Sequence, residues 1–292
     1  RFPNQVKVSG NTNDAGSGPI EVSAIRNTAE LPWGDVDKVL ECNGIFTGDK
    51  PKVHLENGAT RVLVSAPSAG ADKTNDYGVN HDTLSADDRV VSNASCTTNC
   101  LAPVAKVLND TVGLTRGFMT TIHSYTGDQP TLDTLHKDLY RGRAAAMSMI
   151  PTTTGAAKAV GLVLPELNGK LDGVSIRVPT PNVSLAILNL TLSRDTSVEE
   201  VNEYLRHMAL NSDMQRQIDY TTSPEVVSSD FVGNRHACVV DGGATLVKDN
   251  RLVLYVWYDN EFGYACQVVR VVQKCSGISY PLVPQDVVGQ GF

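Results

Sequence analysis

The chain has 292 residues, 41% hydrophobic and 20% charged, which suits two domains or one large one with a sizeable core and argues against global disorder. Twenty-five Lys and Arg against 32 Asp and Glu leave a formal charge of −7, so a nucleic-acid binder with a broad basic face is disfavoured. Six cysteines in 292 residues are too sparse for a disulfide scaffold and fit a reduced setting.

The opening Arg1-Phe2-Pro3-Asn4-Gln5 does not lead into the apolar stretch of a signal peptide, and a cytoplasmic location is expected. Residues 11–17 form a polar cluster expected to be an exposed hairpin loop. Residues 19–25 are strand-like. Residues 37–42 and 60–65 are short apolar runs of the kind buried in parallel sheets, closed by the turn signals Asn43-Gly44 and Ala66-Pro67. Between them, residues 54–59 read as the end of a crossover helix, with Gly58 as its stop. This strand–helix–strand rhythm predicts an α/β layer.

A strand at 89–91 then runs into a helix that starts near Cys96 and includes residues 101–108, and residues 118–124 read as the next strand. Residues 129–154 are long and irregular, as functional or interface loops are. Beyond them, residues 155–164 are helical, and 173–178 and 183–192 alternate as strands. Ser197 caps a helix over 197–210. Asn250 separates strands expected at 244–247 and 252–257, and 261–272 forms a last helix. The longest unbroken apolar run, Leu252 to Tyr258, has seven residues, against the roughly 18 a membrane span needs. No membrane partner is expected. The fold class is therefore α/β plus α+β: a partial parallel sheet followed by a larger mixed or antiparallel one.

The chemistry concentrates at Ser92-Asn93-Ala94-Ser95-Cys96-Thr97-Thr98-Asn99-Cys100. Ser95 is a natural N-cap, which places Cys96 in the first helical turn, where free N–H groups and the helix dipole favour a thiolate. Most free cysteines are simply packed; Cys100, one turn deeper, is assigned that role. No metal site is expected, because no His or Cys supports this pair at zinc-ligand spacing. A thiolate needs a base. His123 ends the next strand, 27 residues on, and one helix plus one return strand brings the chain back to the helix head. The other five histidines, at 54, 81, 136, 207 and 236, are assigned ordinary polar or surface roles. Thr126 and Asp128 follow His123, and Thr152-Thr153-Thr154-Gly155 precedes a helix, offering hydroxyls and free N–H groups to an anion. Arg141, Arg143 and Arg177 are candidate guanidinium partners. Together these suggest two phosphate pockets around one sulfur.

These strings resemble the glyceraldehyde-3-phosphate dehydrogenase family. The resemblance rests on the cysteine string, on His123-Ser124-Tyr125-Thr126-Gly127-Asp128-Gln129, and on residues 151–160, 177–183 and 257–263; the C-terminal half is similar to the longer bacterial members. It implies phosphorylating oxidation of glyceraldehyde 3-phosphate to 1,3-bisphosphoglycerate in glycolysis or gluconeogenesis, with Cys96 as the nucleophile that carries a thioester and His123 as its acid–base partner. Ser95, Thr97, Thr154 and Gly155 would form the inorganic-phosphate pocket, and Thr126, Asp128 and Arg177 the substrate-phosphate pocket, with Arg141 between. Ser65, Asn260 and Tyr264 would face the nicotinamide of NAD. The loop 129–154 would reach a neighbour's cofactor in a homotetramer. Residues 1–95 would be the remainder of a Rossmann-type NAD-binding domain and 96–260 the catalytic domain, with the helix at 261–275 packing back on the first.

The sequence departs from the family pattern in three places. No Gly-x-Gly-x-x-Gly turn occurs, so the N-terminal βαβ unit is expected to belong to a longer protein of which this is a piece. Asn43 stands where the family usually has Thr. Thr134-Leu135 replaces a Leu-Pro pair near the cofactor's ribose; NAD is the reading taken, with NADP the alternative. Competing functions are an erythrose-4-phosphate dehydrogenase, which Tyr125-Thr126 disfavours, a fragment serving only as a binding or structural piece, and an acyl-phosphate hydrolase.

Overall fold

A computed structural model describes residues 5–281. In chain order its strands and helices are β1 (Lys7–Ser9), β2 (Thr12–Asp14), β3 (Pro19–Glu21), β4 (Lys38–Glu41), α1 (Lys52–Glu56), β5 (Arg61–Val64), β6 (Lys73–Thr74), β7 (Val90–Ser92), α2 (Cys96–Thr111) and β8 (Leu114–Ser124). There follow β9 (Ile150–Thr153), α3 (Ala156–Val163), β10 (Leu171–Val178), β11 (Ser184–Leu192), α4 (Val198–Asn211), β12 (Ile218–Thr221), β13 (Cys238–Asp241), β14 (Leu246–Lys248), β15 (Arg251–Tyr258) and α5 (Phe262–Cys275).

The parallel sheet runs β4-β5-β7-β6. Its central strands β5 and β7 are buried on both faces, as strands of a covered parallel sheet are. Val62, Val64 and Val90 pack with Leu55 of α1 on one side. Leu63 and Val91 meet Val268 and Val271 of α5 on the other. The C-terminal ends of these strands lead into the loops at Asn43, Ser65 and Asn93, the edge at which open α/β sheets take ligands.

The larger sheet is mixed and eight-stranded, in the order β12-β13-β15-β11-β8-β10-β9, with β14 pairing onto β15. Strand β11 buries every second residue from Ser184 to Leu192, the period-two pattern of a sheet with one face on the core. Helices α2, α3 and α4 supply that core: Leu101, Leu108, Val160, Val201 and Leu205 join Leu188 and Leu254 in one cluster.

The α/β plus α+β architecture expected from the sequence is present. Several details differ, among them a strand, β9, inside the stretch expected to be irregular, and a strand that ends at Glu21 where one was expected over 19–25. The polar cluster at 11–17 contains β2, the central strand of a meander with β1 and β3. Its poor strand formers are held by backbone pairing on both sides, and Asp14 Oδ1 accepts from Gly16 N (2.7 Å) and Gly18 N (3.1 Å) to make the turn. Ala244 lies in a short turn, and the strand begins at Leu246. β12 and β13, four residues each, gave too short a pattern to read.

Candidate active site

The chain enters α2 through Ala94, whose φ of 53° lies in the left-handed region that costs an L residue roughly 1–2 kcal/mol. Two contacts hold this turn: Tyr264 Oη donates to Ala94 O (3.1 Å), and Asn99 Nδ2 donates to Asn93 O (2.8 Å). Ser95 is the N-cap, its Oγ accepting from Thr98 N at 3.1 Å. Cys96 is thus the first helical residue. Strand β8 returns His123 to the same place, and Cys96 Sγ lies 3.6 Å from His123 Nε2.

The tautomer of His123 follows from its neighbours. Nδ1 lies 2.7 Å from the Ser124 carbonyl, an acceptor only, and Arg177 Nη1 has its own acceptors in Ser124 O and Thr126 Oγ1; with the hydrogen on Nδ1, Nε2 presents its lone pair to the sulfur. Strands β8 and β10 are parallel, with Arg177 in register with His123; side chains in register share a face. Arg177 Nη1 accordingly sits 3.0 Å from His123 Nδ1 and donates to Ser124 O at 3.0 Å. Burial first, then the Arg177 charge, lower His123 to about 4, so the imidazole is neutral at pH 7.

The helix head does not by itself ionise Cys96. Burial pushes its thiol up; the Thr97 hydroxyl and the Arg177 charge pull it back only in part. Its flank toward the cavity stays open, which limits that upward push. The pair therefore rests as thiol and neutral imidazole. Tyr258, unread in the sequence, braces both partners. Its buried Oη joins Thr97 Oγ1 (2.9 Å) and Thr121 Oγ1 (2.8 Å), and its ring meets the His123 ring edge-on at 5.8 Å.

Cys96 and His123 open onto a cavity of about 460 Å³ whose wall also carries Ser95, Thr97, Arg141, Thr154, Gly155 and Arg177. Ser175 and Pro67, not singled out in the sequence, line it too. Thr126 stands behind the wall, 3.4 Å from Arg177 Nη1. Asp128 also stands off the cavity. It accepts from Arg141 Nη1 at 2.7 Å; burial raises its carboxyl, but the Arg141 bond and charge outweigh this and hold it low. A carboxylate repels a phosphate, and here it braces the guanidinium instead. Arg141 Nε also donates to Thr152 Oγ1 (2.9 Å), and Thr152 Oγ1 to Asp138 Oδ2 (3.3 Å). Arg143 faces away from the cavity, paired with Asp133 at 3.0 Å.

Ser65, Asn260 and Tyr264 are not on that wall. Ser65 N donates to Glu41 O (2.9 Å) at the end of β5. Asn260 Oδ1 accepts from Ser184 Oγ (2.9 Å), and its Nδ2 keeps a longer contact to Glu261 (3.3 Å). Asn260 offers a side-chain amide, engaged here with Ser184 and Glu261, and Tyr264 stands beside the turn that leads to Cys96, its hydroxyl on Ala94 O. The sequence contributes no glycine-rich turn for a pyrophosphate.

Of the polar and surface roles expected for the other histidines, His54 takes a buried polar one. It is 2% exposed. Trp33 Nε1 can only donate, and it reaches His54 Nδ1 at 3.0 Å; His54 Nε2–H therefore donates to Glu41 Oε2 at 3.1 Å. Glu41 Oε1 in turn accepts from Asn43 N (3.0 Å) and shapes the turn after β4. His136 also joins the site's support, 3.6 Å from Asp128 Oδ1. Among the described residues no group of three or more His, Cys, Asp or Glu could hold a metal ion.

A thiol, its base and two guanidiniums around one cavity define a site for covalent chemistry on an anionic carbonyl compound. Residues 95–260 match the family profile described as glyceraldehyde 3-phosphate dehydrogenase, C-terminal domain. The chain is similar to the glyceraldehyde-3-phosphate dehydrogenase of Cereibacter sphaeroides, 62% identical over 267 residues, which cover 91% of this chain and 80% of that protein. It is also similar to the enzymes of that name from Xanthobacter flavus (61%, covering 91% and 80%) and Zymomonas mobilis (51%, covering 92% and 81%). The chain belongs to the glyceraldehyde-3-phosphate dehydrogenase family.

Proposed function

We propose that this chain is an oxidoreductase that converts glyceraldehyde 3-phosphate and inorganic phosphate to 1,3-bisphosphoglycerate, with NAD as the hydride acceptor and a role in glycolysis or gluconeogenesis. The observation that carries this reading is the 3.6 Å Cys96 Sγ–His123 Nε2 contact on a wall shared with Arg141 and Arg177. Cys96 Sγ adds to the aldehyde carbon as its proton passes to His123 Nε2, and the carbonyl electron pair moves to oxygen. The imidazolium so formed donates to that oxygen and then takes up its hydroxyl proton. Arg177 and Arg141 both depress His123; a phosphate dianion beside them offsets that field, so the base strengthens once substrate is in place. A bound nicotinamide, oriented by Asn260, Tyr264 and Ser65, supplies the hydride acceptor. Inorganic phosphate, held by Ser95, Thr97, Thr154 and Gly155, then displaces Sγ from the acyl carbon, while Arg177, Thr126 and the Asp128-braced Arg141 keep the substrate's own phosphate.

We read residues 1–95 as the remainder of the Rossmann-type cofactor domain, residues 1–4 lying outside the described ones, with α5 packed against it, and residues 96–260 as the catalytic domain. The cell compartment read is the cytoplasm. No described helix is long and apolar enough to cross a membrane. Leu132, Leu135, Leu139, Tyr140, Met147 and Met149 are all at least 62% exposed on one loop. Such a surface suits a covered interface, and the assembly read is a homotetramer. Light scattering of the purified protein checks it; a monomer at micromolar concentration would overturn it.

The functional test is kcat/KM for glyceraldehyde 3-phosphate against erythrose 4-phosphate, each with NAD and inorganic phosphate. The three-carbon sugar should win by tenfold or more. A tenfold preference for the four-carbon sugar, or turnover of acyl phosphate without dinucleotide, would sink the reading. Absence of saturable NAD binding would leave this chain a binding piece.

A further inference from the structure

Asp76 follows β6 and is 0% exposed, and neither of its carboxyl oxygens has a hydrogen-bond partner. Its backbone N–H is satisfied, donating to Asn80 Oδ1 at 2.8 Å. A buried carboxylate normally keeps a cation or several N–H donors, and among the described residues no Lys, Arg or His forms an ion pair with this one.

None of the ionisable groups that couple to it can carry a positive charge. The ionisable groups that feel its charge are Cys100 of α2, Cys238 of β13 and Tyr264 of α5, each of which would be an anion if it ionised. His81, on its own loop, accepts from Gly78 N (3.0 Å), and its charged neighbours are Asp82, Lys274 and Asp213. Gln217, between α4 and β12, packs against Gly78, two residues along the same loop, and is also 0% exposed with an unpaired side-chain amide. Asp76 thus sits where β6, α2, α5 and β13 meet, behind the helix whose first residue is Cys96.

We propose that Asp76 is a proton-dependent latch: as the neutral acid it is tolerated in the seam between the parallel sheet and α2, and as the carboxylate it loosens that seam. Burial raises its carboxyl well above the ordinary 3.8. The sign follows. The folded chain holds this proton more tightly than the unfolded chain, so the stability it confers is complete below about pH 3.8 and is lost as pH rises toward the folded-state value.

The test uses the full chain, with Asp76→Asn as the isosteric neutral variant and Asp76→Val as the apolar one. Melting temperature is followed from pH 5 to pH 9. The wild type should fall relative to Asp76→Asn by roughly 2–5 °C per pH unit from pH 5 up to the folded-state value of Asp76, and run parallel to it above that value. The infrared C=O stretch of a protonated carboxylic acid should be present in the folded wild type at pH 5 and absent from Asp76→Asn. Protection of the first-turn amides of α2 against hydrogen exchange, corrected for the intrinsic rise of exchange with pH, should fall on raising the pH in the wild type and stay constant in Asp76→Asn. Wild-type and Asp76→Asn melting curves that stay parallel throughout, with no such infrared band, would overturn the latch. If Asp76→Val does not fold, the wild type and Asp76→Asn still decide it.

Discussion

Replacing Cys96 by Ser should abolish oxidation of the aldehyde, with kcat falling on the order of 10⁴–10⁶-fold. The hydroxyl fits the same space and faces the same base. An alcohol is a far weaker acid than a thiol, however, and a neutral imidazole beside Arg177, with its proton affinity lowered to about 4, cannot remove its proton. Dinucleotide affinity should not change, because Cys96 lies on the substrate wall. The two measurements are steady-state turnover and NAD titration of the same preparation. Retention of a tenth of the activity would show that the sulfur does not carry the acyl group.

The second large effect is expected from His123→Asn. The amide cannot accept the thiol proton, so kcat should fall roughly 10²–10⁴-fold, the usual worth of a positioned acid–base group. Alkylation of Cys96 by iodoacetamide near neutral pH should slow as well. A stability readout accompanies the kinetic one. His123 is buried and its proton affinity is lowered from 6.5 to about 4, so the unfolded chain takes up a proton in this window that the folded chain refuses. The wild type should therefore lose roughly 3 kcal/mol relative to His123→Asn as pH falls from about 6.5 to about 4. Denaturant midpoints across that range check it. Equal slopes would mean that the imidazole is already solvated in the folded chain.

The site's centre was legible because it is built from local signals. Ser95 reads as a cap, Cys96 as the first turn that follows, and His123 as the end of the return strand; the Sγ–Nε2 distance of 3.6 Å brings these separate readings together. The thiol's acidity was not legible. A sequence shows the helix head but not how deeply it is sunk, and burial here pushes the thiol up more than the Thr97 hydroxyl and the Arg177 charge pull it down. Asp128 stood in the right string, yet its partner, Arg141, lies on the far side of an irregular loop, so its bracing role emerges only in space. Tyr258 is one more apolar position of an alternating strand until its Oη is seen between two threonines. The burial of His54 was hidden for the same reason: Glu41 and Trp33 are 13 and 21 residues away along the chain.

The in-register pairing of His123 with Arg177 on adjacent parallel strands has a consequence for selectivity. The cation and the proton acceptor are riveted to one backbone ladder and cannot drift apart. The ladder acts as a ruler of fixed length: an aldehyde whose phosphate docks on the guanidinium presents its carbon to the sulfur only if its carbon chain spans that interval.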